Sequence, residues 1–142
     1  MMIDHFKHFA APGSFIAIDA GDGLRFEALK TAYPDLVVFE WHDRSSDTDN
    51  FEELIALAMD VERNQLLVAG GQDVQSCLVI SLLALGRGFD VYVCNDLIDG
   101  PEEEKSILWD RLRHHGAIVT STAQIRAEFE AVKNSGISQA NG

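Results

Sequence analysis

The chain has 142 residues, of which 46% are apolar, and a formal net charge of −12. That length suits one domain able to bury a core without disulfide or metal staples, and the acidic balance argues against nucleic acid and anionic membrane surfaces, both of which need a basic face. No apolar run approaches the roughly 18 residues of a membrane span, the first residues lack a signal-peptide layout, and Cys77 and Cys94 sit in apolar segments, as expected of buried thiols in a reducing cytoplasm.

Ile3, Phe6 and Phe9 are spaced for one side of a short helix that ends at Pro12-Gly13, so residues 1–13 read as a helical extension. Phe15 to Asp19, FIAID, is a continuous apolar run expected of a strand covered on both faces. Gly21 and Gly23 make a turn, and Leu24 to Tyr33 reads as a helix closed before Pro34. Asp35 to Trp41, DLVVFEW, is a second strand. His42 to Asn50 is polar and reads as a loop, with Asp49 or Asn50 placed to cap a helix carrying Phe51, Leu54, Ile55, Leu57 and Ala58 on one side.

Gln65 to Gly70 is the third strand, and Asp73 to Leu85 the third helix. That helix is apolar nearly all round from Leu78 to Leu85, which requires cover on both sides or a subunit interface. Gly86 and Gly88 stop it before the strand Asp90 to Cys94. Pro101 and three glutamates open a helix that closes at His114, His115 and Gly116. Ala117 to Thr120 is a short fifth strand, Ser121 with Gln124 forms a capping box for the last helix, and residues 135–142 read as a frayed tail. Short strands alternating with helices must run parallel with right-handed crossovers. The expected architecture is a single α/β domain, a three-layer, doubly wound parallel sheet of about five strands with helices on both faces and strand order 2-1-3-4-5.

In such a sheet, ligands bind at the carboxyl ends of the strands. Those ends offer Asp19, Glu40, Gly70, Gly71, Gln72, Asp73, Asn95 and Asp96, and the first turn of the third helix adds two neighbouring nucleophiles, Ser76 and Cys77. That turn also has free backbone N–H groups able to stabilise an oxyanion. His42 with Asp43, Asp47 and Asp49 lacks a recognised ligand spacing and reads as a solvated loop; no metal or cofactor is expected.

These residues carry a resemblance. The chain resembles the isochorismatase-like cysteine hydrolases, a Rossmann-like family that includes nicotinamidases. Their typical strand-turn-helix has the form A-G-x-x-T-[DE]-x-C, followed by a helix ending in a Gly-aromatic pair and a strand ending near an Asp. Ala69-Gly70, Gly88-Phe89, Asp90 to Val93 and Asp96 fall on this pattern without a gap, and Arg111 to Ile125 is similar to the closing elements. The resemblance implies that Asp19 is the family's catalytic acid. In the gapless alignment Ser76 stands at the nucleophile position, with Cys77 about 100° further round the helix. The family's catalytic lysine has no counterpart in Asp35 to Trp41, where Glu40 stands near that point.

The resemblance therefore implies a hydrolase of a small amide, imide or vinyl ether, with Asp19, Ser76 and Cys77 as catalytic candidates. Glu40, Gly70, Gly71, Gln72, Asp73 and Asp96 are the substrate-binding candidates, around an eroded site. The alternative is a catalytically inactive small-molecule-binding or assembly subunit of the same fold. Either form is expected to self-associate through the apolar helix around Leu78 to Leu85. A weaker third reading places Mg²⁺ chemistry on Asp19, Asp22 and Asp96.

Overall fold

The computed structural model describes residues 10–20, 26–42, 46–69 and 74–134. Within them five strands, β1 (Phe15–Asp19), β2 (Val37–Glu40), β3 (Gln65–Ala69), β4 (Asp90–Cys94) and β5 (Ile118–Thr120), form one sheet in the order β2-β1-β3-β4-β5. Every neighbouring pair is parallel. Five helices connect and flank them: α1 (Glu27–Ala32), α2 (Asp47–Val61), α3 (Val74–Gly86), α4 (Glu102–His114) and α5 (Thr122–Asn134). The expected strand order is the observed one. Residues 1–9 of the expected helical extension and the tail from Ser135 lie outside the described residues; of the rest of the extension, Ala11 is extended and Pro12–Ser14 form a 3-10 turn that leads into β1.

Side chains alternate along a strand, and this divides the core in two. Ile16, Ile18, Leu66, Val68, Val91 and Val93 face α2, α3 and α4. Phe15, Ala17, Leu67, Ala69, Tyr92 and Cys94 face the opposite way, where they meet Leu29 of α1 and Ile125 and Phe129 of α5. Edge-on aromatic contacts knit this second layer, with ring centroids 4.9 Å apart for Phe15 and Tyr92 and 5.0 Å for Tyr33 and Phe129. β1 is buried at all five residues, as its unbroken apolar run requires. At the amino ends of the strands, the Arg63 guanidinium donates to the carbonyls of Phe15 (2.9 Å) and Asp35 (2.8 Å) and so ties β1 to the approach of β2.

Two local readings are corrected. The third strand's predecessor helix, α2, starts at Asp47, inside the segment read as loop, and its cap is Ser46 instead of Asp49 or Asn50. The Ser46 hydroxyl accepts the Asp49 N–H at 3.0 Å, which leaves Asp47 and Asp49 in the positive first turn and turns Asn50 inward. Of the first helix, read as Leu24 to Tyr33, the described residues form Glu27–Ala32 with Tyr33 at its cap. The Ser121 cap is as expected, its hydroxyl accepting the Gln124 N–H at 3.1 Å.

Candidate functional site

The carboxyl end of the sheet is organised around Asp19. It is the last residue of β1, fully buried, in register with Glu40 of β2 on one side and Ala69 of β3 on the other. Backbone bonds hold this junction: Trp41 N–H donates to the Asp19 carbonyl at 2.8 Å, and Ala20 N–H to the Ala69 carbonyl at 3.2 Å. By the alternation that sends Phe15 and Ala17 toward α1 and α5, the Asp19 side chain leaves the sheet on that face. Glu40, by contrast, is exposed on the sheet edge.

The two nucleophile candidates separate. Cys77 is fully buried among Ile16, Ile18, Leu66 and Val68, on the α3 side of the sheet. Its sulfur lies 3.9 Å from the hydroxyl of Ser81, one turn along the same helix. Burial pushes its thiol up to about 12, against which the Ser81 contact acts only weakly. Ser76 is half-buried on the first turn of α3. Gly70, Gly71, Gln72 and Asp73 lie outside the described residues.

Asp96 has a structural duty. It sits on a 3-10 turn, Asn95–Leu97, and its carboxylate accepts the Thr122 N–H at 2.9 Å, holding the first turn of α5. Cys94 is buried beneath it, and burial first, then the nearby Asp96 carboxylate, push its thiol up to about 12. Asp47, grouped by sequence with His42 and Asp49, instead accepts the Trp41 indole N–H at 3.3 Å. Asp22 and Asp43 lie outside the described residues. Among the described residues no group of three or more His, Cys, Asp or Glu side chains is placed to hold a metal ion.

Asn50, expected as a possible helix cap, has a different role. Asn50 is fully buried, and its side-chain oxygen accepts the His42 N–H at 2.9 Å while its amide donates to the carbonyls of His42 (2.8 Å) and Ser46 (3.2 Å). It thereby pins the segment leaving β2 to the start of α2. The available signal is its place on the buried stripe of α2, four and eight residues before Leu54 and Ala58.

No protein-family model and no curated protein matches the sequence. Solved structures do match the fold. YcaC from Pseudomonas aeruginosa, solved with hexane-2,5-diol and covalent acrylamide, superposes with a TM-score of 0.67 at 16% identity over 93% of this chain and 88% of that one. YcaC from Escherichia coli, described as an octameric hydrolase of unknown specificity, gives 0.65 at 16% identity over 94% and 87%. The nicotinamidase PncA from Bacillus subtilis gives 0.51 at 14% identity over 75% and 74%. This chain has the isochorismatase-like hydrolase fold. Within that fold α3 is the helix after the central β3 strand. Among the described residues, no helix is long and apolar enough to cross a membrane.

Proposed function

We propose that this chain is a divergent isochorismatase-like hydrolase, acting slowly on a small amide, imide or vinyl ether through an eroded site. The observation that carries this reading is the division of labour on α3: Cys77 is sealed in the core, while the half-buried Ser76 occupies the first turn beside the end of β3. For an amide or imide, in this reading, Asp19 takes the Ser76 hydroxyl proton as the oxygen attacks the substrate carbonyl. The proton then passes to the leaving amine, and water repeats the sequence to release the acid. N–H groups of the α3 first turn stabilise the developing oxyanion. Glu40 adds negative charge where the family has a cation, so the serine is a poorly supported nucleophile and turnover is slow. Gly70, Gly71, Gln72, Asp73 and Asp96 remain the proposed substrate-binding positions.

We further propose that the chain is a single cytoplasmic domain that self-associates through the outward stripe of α3. Val79 and Leu83 are 39% and 37% exposed on that stripe, between half-buried Leu78 and Leu82. The octameric state of the Escherichia coli YcaC supports assembly in this fold.

A panel of small amides and imides tests the chemistry. Ser76→Ala and Asp19→Asn are each expected to abolish hydrolysis, and Cys77→Ala to leave it. Loss in Cys77→Ala alone overturns the serine assignment. A flat panel with ligand-induced thermal stabilisation supports the catalytically inactive binding subunit instead.

A further inference from the structure

We infer that the open edge of β2 pairs with the β2 edge of a second copy, in antiparallel fashion about a two-fold axis through Val38. β2 is the terminal strand of the sheet, and among the described residues no strand lies beyond it. Inward pairing to β1 uses the odd residues of the strand, as the Trp41 N–H to Asp19 carbonyl bond shows. The N–H and carbonyl groups of Val38 and Glu40 therefore point away from the sheet. Edge strands of this kind are ordinarily protected by lysine, proline or a bulge. Here the strand reads Val-Val-Phe-Glu, and Val37, Val38 and Phe39 are only half-buried. Beside it runs a groove of about 690 Å³, lined by Phe26, Glu27, Lys30, Thr31, Val38 and Glu40 among others.

The charge pattern along this edge fits a second copy of itself. Lys30 reaches from α1 to the start of the strand, where its ammonium donates to the carbonyls of Pro34 (2.7 Å) and Leu36. Glu40 stands at the other end, on the same side as Val38 and in the same groove. With the axis at Val38, Leu36 of each copy lies opposite Glu40 of the other, so each Lys30 meets the other copy's Glu40. The two Val38 residues exchange N–H and carbonyl bonds, while the carbonyl of the fully buried Leu36 stays with the Lys30 ammonium. On the other face Val37 stacks on the second copy's Phe39, a favoured β-branched and aromatic cross-strand pair. A register shifted by one residue in either direction loses both the Lys30–Glu40 match and part of the strand. A two-fold contact of this kind is isologous and closed, so it yields a continuous sheet through two copies without fibre growth.

The test is solution mass by light scattering and analytical ultracentrifugation on the full chain. Val38→Pro removes the outward N–H without touching the bonds to β1 and is expected to halve the particle mass, with circular dichroism unchanged. Lys30→Glu and Glu40→Lys alone are each expected to weaken association about fivefold, and the double swap to restore it. Leu83→Asp interrupts the α3 contact proposed above and leaves the β2 pairing, so the two interfaces are scored separately. A mass unmoved by Val38→Pro, or a charge swap that fails to restore what the single reversals lose, overturns the edge pairing.

Discussion

The Cys77 sulfur and the Ser81 hydroxyl lie 3.9 Å apart on successive turns of α3, both wholly inside the core. The residue most readily taken for a nucleophile is thus a small apolar filler with one weak polar contact. A reactive cysteine needs an ionised, accessible sulfur, and Cys77 has neither property, its thiol being pushed up to about 12 by burial. Near neutral pH, iodoacetamide is expected to leave Cys77 and Cys94 unlabelled in the folded chain and to modify both in urea, as read by intact mass. Rapid labelling of Cys77 in the folded chain would show that its sulfur opens to the crevice.

The same burial sets an alkaline limit on stability. Both thiols are raised from 9.0 to about 12. Between those values the folded chain retains protons that the unfolded chain has released, so unfolding becomes easier as pH rises. Stability from this source is intact below about pH 9 and declines toward 12. The Cys77→Ala, Cys94→Ala double variant is expected to lose less stability than the parent between pH values on either side of 9. Urea midpoints give the comparison.

Asn50 is expected to be the costliest single polar change at the start of α2. Asn50→Ala leaves the His42 N–H and the His42 carbonyl without their buried partner, while the Ser46 carbonyl keeps the backbone N–H of residue 50. That should cost about 2–3 kcal/mol. In a hydrolysing chain it should also raise KM, because the segment after β2 is no longer held. Asn50→Asp should be no rescue, since a carboxylate cannot donate to the two carbonyls. Chemical denaturation of both variants measures the effect.

Two helix ends make opposite predictions. Glu62 caps α2 in the left-handed region at φ 56 and ψ 47, where a side chain is strained and a negative charge meets the negative helix end. Glu62→Gly should stabilise by about 0.5–1 kcal/mol. Gly88, at φ +89 after α3, has open space around an added Cβ, so Gly88→Ala carries the backbone cost alone. Its expected loss is about 1–2 kcal/mol. Thermal unfolding of the pair separates backbone strain from packing.

The expected fold is the observed one because its signals are local and redundant. Phe15 to Asp19 and Gln65 to Ala69 are unbroken apolar runs, which only a parallel sheet with both faces covered can bury. Gly88 and Gly116, at φ +89 and +98, mark helix ends where a left-handed residue is required. The start of α2 was legible only in part. Its sequence offered Asp49 or Asn50 as the cap; Ser46 takes that place, and Asn50 is drawn into the core by the chain that leaves β2.

The apolar character of α3 had two readings by sequence, cover on both sides or an interface. In the fold it packs on the sheet between α2 and α4, so most of that surface is consumed internally and a narrow stripe through Val79 and Leu83 remains. Composition and period thus determined the strands, the helices and their order, because hydrophobic periodicity is written residue by residue. Which way Cys77 turns and what Asp96 holds were decided by tertiary structure. Each depends on partners far along the chain, and one step of helix rotation or strand alternation exchanges core for crevice.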